Sequence, residues 1–114
     1  MAEQFQLDKP TIMDRLGGDE ELFAAMAEVY LKDWGTYHAQ IAAALAAGDA
    51  ALLRRHAHTI KSLLATFADE AGSALAAAVE QRAGSGQLAG LEGGVARVQE
   101  RLRLVAAALE GKSP

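Results

Sequence analysis

The C-terminal third of the chain carries a hydrophobic repeat that strongly limits the possible folds. Aliphatic residues recur there at alternating steps of three and four, namely Leu88, Leu91, Val95, Val98, Leu102, Val105 and Leu109. This spacing is typical of a helix that packs lengthwise against other helices. It predicts a helix over about residues 88–110, whose first turns are weakened by glycines. The charged residues off the repeat are expected to form a solvated face: Arg97, Glu100, Arg101 and Arg103.

Capping residues and glycines predict the remaining helices. These helices are expected over about residues 8–16, 19–47, 50–68 and 70–83. Aspartates precede the helices as N-caps, and glycines at positions 17, 18, 48, 84 and 86 provide stops and turns. In the fourth helix we expect three alanines, Ala71, Ala74 and Ala78, to face the core. The sequence therefore predicts an all-α fold, an antiparallel four-helix bundle with a short extra N-terminal helix, as a single domain over residues 1–114.

Composition excludes several classes of function. The formal net charge of −4 argues against general nucleic-acid binding, which requires a basic surface. The absence of cysteine excludes disulfides and thiolate metal sites. We found neither an apolar run long enough to span a bilayer nor a signal-peptide pattern, so no membrane association and a cytoplasmic location are expected. The hydrophobic repeat could instead support a dimer, but three other helices need covering, so a monomer is expected.

Aromatic residues are few, at 5% of the chain, and four of them lie in the second predicted helix. Tyr30, Trp34 and Tyr37 could form a binding patch, but we expect them to fill a core that is otherwise short of large side chains. His38, in the same helix, is expected to be a surface residue without a functional role.

The third predicted helix has two different faces. Around the helical wheel, the apolar face contains Leu53, His56, Ile60, Leu63, Leu64 and Phe67. The opposite face is centred on His58 and contains Arg54, Arg55, Lys61, Ser62, Ala65 and Asp69. A metal site built on His56 and His58 is excluded, because residues two apart on a helix point about 160° apart.

The face around His58 suits a reactive imidazole. Small residues, Ser62 and Ala65, leave the ring uncovered, while Lys61 and Arg54 stand one turn away on either side. A neutral imidazole is a nucleophile, and it is close to half neutral near physiological pH. The arrangement favours a ring that accepts a phosphoryl group, although the wheel alone fits an ordinary polar surface histidine better.

An ordered set of motifs favours the phosphoryl-accepting histidine over an ordinary surface histidine. The stretch His58-Thr59-Ile60-Lys61, preceded by Ala57 and followed by Phe67, resembles the signature of histidine phosphotransfer (HPt) domains. The family usually has Gly-Asp before this helix, and Gly48-Asp49 stands there. It usually has a Leu-x-x-x-Leu-Glu pattern after the helix, and the matching positions are Leu75, Val79 and Glu80. The run from Leu16 to Leu22 is similar to the usual opening of the family's first long helix. The likeness extends from about Leu7 to about Leu109.

Four positions depart from the family pattern. Ser62 and Ala68 replace residues that are usually glycine, and both are small enough to keep the approach to His58 open. Leu64 replaces a usual Ser or Ala, and its place on the apolar face predicts a change in packing. Gly72 replaces a usual Leu, so the next helix is expected to lose a core side chain and to be looser.

The resemblance implies a phosphoryl carrier without kinase activity of its own. His58 would be the phosphoacceptor and Lys61 would counter the phosphoryl charge, with Arg54, Arg55, Ser62 and Ala65 around them. The implied partners are receiver domains of hybrid histidine kinases and response regulators. No cofactor or metal is expected on this chain, because the receiver would supply Mg²⁺. A stand-alone protein is favoured over part of a hybrid kinase.

Two other interpretations remain open. The bundle could bind receiver or kinase domains without transferring phosphate, since Leu64 and Ala68 depart from the family pattern. It could also be an unrelated bundle that dimerises as an interaction module. A labelling test together with the solution mass would separate these interpretations from phosphotransfer.

Overall fold

The computed structural model describes residues 4–111, and these residues form helices joined by short turns. The helices are α1 (Lys9–Arg15), α2 (Glu20–Ala46), α3 (Ala50–Thr66), α4 (Glu70–Gly84) and α5 (Glu92–Leu109). No strand occurs in this part of the chain. The fold is therefore all-α, as the sequence predicted.

Aspartate side chains start the first four helices. Asp8, Asp19, Asp49 and Asp69 each accept a hydrogen bond from the backbone N–H three residues later, at 3.0–3.1 Å. These bonds satisfy N–H groups that have no partner within the helix, and this fixes where each helix begins.

The predicted start of the last helix at residue 88 is wrong. The structure begins α5 at Glu92, after a turn in which Gly90 has a φ of 78°. Leu91 precedes the helix without a side-chain cap, and it is buried, while Leu88 is half-buried. The hydrophobic repeat continues through this turn because a turn can bury leucines as a helix does. The left-handed conformation of Gly90 does not fit a right-handed helix, so α5 begins only after this glycine.

Helices α2 to α5 form the four-helix bundle, and α1 packs against α2. The pairing of α3 with α4 is the most extensive. Lys61 lies next to Ser73, His58 next to Glu80, and Arg54 next to Gly84. These contacts run in opposite directions along the two helices, so α3 and α4 are antiparallel. The bundle core includes Tyr30 and Phe67, whose rings meet edge to face with centroids 5.1 Å apart.

The prediction of a solvated arginine face on α5 is wrong for Arg101. Its guanidinium is buried and bonds both carboxylate oxygens of Asp69, at 2.6 and 3.0 Å. Asp69 itself is buried and follows the end of α3, so it does not belong to the His58 face. A polar pair is stable inside a bundle only when both partners are satisfied, and here each satisfies the other. Helical periodicity could not detect this pairing between distant segments.

Gly72 makes room for this ion pair. A Cβ atom at this position would stand 2.1 Å from Oδ2 of Asp69 and 3.0 Å from Cδ1 of Leu64. The space of a side chain at position 72 is thus occupied by the Asp69 carboxylate, which also caps α4. We expected Gly72 to leave α4 loosely packed. The structure shows instead that the missing side chain leaves space for the Asp69 carboxylate. Leu64 is fully buried, as its place on the apolar face predicted.

Ala68 forms the left-handed end of α3. Its φ is 59°, and the N–H groups of Ala68 and Asp69 bond to the carbonyls of Ala65 and Leu64 at 3.0 and 2.9 Å. This is the hydrogen-bond pattern of a Schellman motif, in which glycine usually takes the left-handed position. A glycine would be preferred here because of the backbone conformation. The structure thus gives a backbone reason for glycine at this position that is separate from access to His58.

The expectation about the core-facing residues of α4 was wrong. Ala71, Ala74 and Ala78 face solvent, whereas the buried residues of α4 are Gly72, Ala76, Val79 and Ala83. An alanine-rich helix gives too little contrast between its faces to assign the core side. His38 is half-buried, with its ring 5.7 Å from the partly buried Trp34, and its carbonyl accepts a hydrogen bond from Gln99 at 2.8 Å.

Candidate functional site

His58 lies on the outer face of α3, with its side chain 61% exposed. Leu53, Ala57, Ile60 and Leu64 bury the opposite side of the same helix in the core. The amphipathic pattern therefore fixes the direction of the imidazole, because burying the apolar side turns position 58 outward. An exposed ring on a rigid helix is open to a second protein.

Glu80 holds one side of the His58 ring. Its Oε2 lies 2.7 Å from Nδ1 of His58, and its Oε1 lies 2.7 Å from Nζ of Lys61. The carboxylate thus bridges the two residues that the sequence selected. Its side chain is 19% exposed and that of Lys61 is 33% exposed, so both are less mobile than free surface groups. This geometry connects α3 and α4 at the site.

The charge state of Glu80 determines which nitrogen of His58 is free. The hydrogen bond from Lys61, assisted by that from His58, lowers the pKa of Glu80 against the opposing effect of burial. Glu80 is therefore ionised at neutral pH, and an ionised carboxylate can only accept hydrogen bonds. Nδ1 must then carry the proton, and the lone pair of a neutral ring lies on Nε2. No atom of residues 4–111 forms a hydrogen bond with Nε2.

Arg54 and Arg55 line a depression beside the ring, together with Ala51, His58, Thr59 and Glu80. Both arginines are exposed, and neither has an ion-pair partner among the described residues. Gly84 lies under Arg54, since a Cβ atom there would stand 3.5 Å from Cδ and Nε of the arginine. This contact positions the Arg54 stem at the C-terminal end of α4. The depression is thus rimmed by cations and suits an anionic group.

Small or short side chains continue from His58 along α3. Ser62 and Thr66 follow at intervals of one turn, and Ala65 lies beside them; all three are exposed. The carbonyl of Ala65 accepts a hydrogen bond from Nη1 of Arg15 at 3.1 Å, which ties α1 to this end of α3. The row leaves a low surface next to the ring.

An apolar groove between α2 and α3 adjoins this row. It is lined by Ala25, Met26, Val29, Tyr30, Leu63, Thr66 and Phe67. Val29 is 59% exposed, and Leu22, one turn before Met26 on α2, is 44% exposed. Thr66 belongs to both the row and the groove, so the apolar groove and the ring form one continuous surface. A contiguous apolar surface of this kind is a candidate site of protein contact.

Sequence reasoning named Glu80 only as part of a family pattern and did not assign it to the site. A signal was present in the chain. Asp69 lies at the turn between antiparallel helices, and His58 and Glu80 are each eleven residues from it. Residues equally far from such a turn lie side by side, so a carboxylate at position 80 faces the histidine.

The site contains no candidate metal centre. No group of three or more His, Cys, Asp or Glu side chains suited to a metal ion was found within residues 4–111. His56 is half-buried, while His58 is exposed. None of the described helices combines the length and apolar character needed to cross a membrane.

Comparison with known families agrees with this geometry. The family model of the Hpt domain matches residues 25–110, which is most of the chain. The chain belongs to the Hpt domain family. Hpt domains carry phosphoryl groups on histidine in phosphorelays and interact with receiver domains. Neither the curated proteins nor the solved structures include a significant match to the chain.

Proposed function

We propose that the protein is a histidine phosphotransfer protein that accepts a phosphoryl group from the aspartate of a receiver domain onto Nε2 of His58. It then passes the group to the aspartate of another receiver domain. The observation that carries the proposal is the exposed ring whose Nδ1 proton is held by Glu80. The protein acts as a carrier in this scheme and has no kinase activity of its own.

The transfer step follows from the geometry of the ring. The lone pair on Nε2 attacks the phosphorus of an aspartyl phosphate, the Nε2–P bond forms, and the P–O bond to aspartate breaks. The bonding electrons leave with the carboxylate oxygen of the receiver. The receiver supplies Mg²⁺ for this step, and the chain described here contributes no cofactor. Lys61, with Arg54 and Arg55, stabilises the charge of the incoming phosphoryl group.

The docking surface extends from His58 over Ser62 and Ala65 to the apolar groove. A receiver must bring its aspartate within bonding distance of Nε2, so its contacts must lie close to the ring. The exposed Val29 and the partly buried Met26 and Leu63 offer apolar area for this contact. We further propose that the protein is a monomer and acts in the cytoplasm. A measurement of its mass in solution tests whether it is a monomer.

Transfer from a phosphorylated receiver tests the proposal. Purified protein is mixed with labelled receiver domains and Mg²⁺, and the label on this chain is followed over time. We expect acid-labile, base-stable label on the wild type and on His56→Gln, and none on His58→Gln. His56 is the matched control because it lies on the same helix. Label on His58→Gln would refute the site.

A second variant tests the docking surface. Val29→Glu places a charge in the apolar groove, so it is expected to slow transfer from the receiver. It should leave the helical content and the reaction of His58 with a small phosphodonor unchanged. If the wild type binds receivers and takes up no label, the protein is a binding module and the carrier function is wrong.

A further inference from the structure

We infer that Glu80 retains the same proton on Nδ1 of His58 before and after phosphorylation, so that phosphoryl transfer proceeds in both directions without proton exchange at the ring. Glu80 is thus a positioning residue that sets the reactivity of the phosphorylated form. The inference rests on the proposed function, because it concerns the phosphoryl group carried by His58.

Phosphorylation makes the Nδ1 proton easier to lose. When Nε2 donates its lone pair to phosphorus, the ring becomes a cation that carries the phosphoryl group on Nε2 and the proton on Nδ1. A carboxylate close to a cation stabilises the charged form. Oε2 of Glu80 already lies 2.7 Å from Nδ1, and Lys61 holds the other oxygen. Glu80 is therefore placed to retain this proton.

The retained proton determines how the phosphoryl group leaves. When the next acceptor attacks phosphorus, the Nε2–P bond breaks and its electron pair returns to Nε2. The ring that leaves is then a neutral imidazole with its proton still on Nδ1. Without that proton, the leaving group would be an imidazolate anion, which is a much poorer leaving group. Glu80 is thus expected to speed onward transfer, and to speed hydrolysis by water for the same reason.

The positive charges near His58 oppose a positively charged ring, and Glu80 offsets them. The charged groups that line the depression beside the ring are Arg54 and Arg55 from α3 and Glu80 from α4, and Lys61 bonds the same Glu80 carboxylate. The three cations disfavour a positive ring, and the carboxylate favours it. Within the described surface, Glu80 is the charged group in direct contact with the ring.

Titration of the phosphorylated ring tests the inference. Protein labelled with ¹⁵N is phosphorylated with phosphoramidate, a small donor that needs no receiver, and the Nδ1 shift of phospho-His58 is followed against pH. In the folded wild-type protein, we expect Nδ1 of phospho-His58 to lose its proton at a midpoint about one pH unit or more above that of a short phosphohistidine peptide. Glu80→Gln should lower the midpoint by a similar amount and slow hydrolysis at pH 7 by about fivefold or more.

Glu70→Gln is the matched control. Glu70 is exposed on the same helix and is expected to change neither the midpoint nor the hydrolysis rate, although it removes the same charge. Equal midpoints for native wild type and peptide would overturn the inference, even if Glu80→Gln did not fold. If transfer from receivers were normal in that case, the proposed function would stand. Failure of both phosphoramidate and receivers to label His58 would overturn the proposed function, and this inference with it.

Discussion

Nζ of Lys61 lies 2.7 Å from Oε1 of Glu80, so the lysine is paired with the carboxylate that holds the His58 ring. Lys61 therefore acts on the His58 ring through Glu80. It lowers the pKa of Glu80 further and fixes the position of the carboxylate, and the ionised carboxylate keeps the proton on Nδ1 and the lone pair on Nε2. An incoming phosphoryl group would compete with Glu80 for the same ammonium group.

Replacing Lys61 should slow the transfer without preventing it. Lys61→Met removes the charge and keeps a long apolar stem, and we expect transfer from a phosphorylated receiver to slow about tenfold or more. Lys61→Arg keeps the charge and should lose less. Stopped-flow or quenched labelling measures the rates, and a rate for Lys61→Met equal to that of the wild type would show that the ammonium group has no part in the step.

The Lys61–Glu80 pair should stabilise the fold only above acidic pH. The lowered pKa of Glu80 means that its contribution is fully present above the ordinary value of 4.5 and is lost as pH falls through the lower folded value. Wild type and Lys61→Met should thus differ in the free energy of unfolding at pH 6 and converge at about pH 3. Urea denaturation at several pH values measures this, and a constant difference would contradict the sign.

Ala68→Gly should stabilise the protein. A left-handed alanine is disfavoured by roughly 1–2 kcal/mol, and part of the gain from glycine is lost to the freedom of the unfolded chain. We expect the free energy of unfolding to rise by about 0.5–1 kcal/mol. Ala78→Gly is the control, because Ala78 is exposed within α4 and the change should destabilise by about 1 kcal/mol. A loss of stability for Ala68→Gly would contradict the assignment.

Two glycines should respond to alanine in opposite directions. Gly72→Ala places a methyl group against the Asp69 carboxylate and should lower the free energy of unfolding by about 2 kcal/mol or more, because it disturbs a buried ion pair. Gly35 lies within α2 with open space around its Cβ position, so Gly35→Ala should raise it by about 0.5–1 kcal/mol. Thermal and urea unfolding measure both, and equal effects would refute the packing argument for Gly72.

Local signals carried much of the sequence-based prediction. Aspartate caps and hydrophobic periodicity depend on residues close in the chain, so they predicted the helices and the all-α bundle well. The outward direction of His58 followed from the same periodicity on α3. The start of α5 was missed because the turn before it buries Leu91 and half-buries Leu88, as a helix would.

Contacts between distant segments were harder to predict. The Asp69–Arg101 pair joins residues 32 positions apart, and the position of Arg101 one turn from Val98 and Val105 does not indicate its partner. Glu80 was missed as a site residue because its role depends on how α3 and α4 align. The half-burial of His38 likewise depends partly on Gln99, 61 residues away, whereas Trp34 lies one turn before His38 on α2.

The most direct test of the account identifies the atom that carries the phosphoryl group. Protein labelled with ¹⁵N is phosphorylated by a receiver domain with Mg²⁺, and the one-bond coupling between ³¹P and ¹⁵N is measured by NMR. We expect a single coupled nitrogen, Nε2 of His58, because Nδ1 is held by Glu80. Coupling to Nδ1 of His58, or to a nitrogen of His38 or His56, would contradict it.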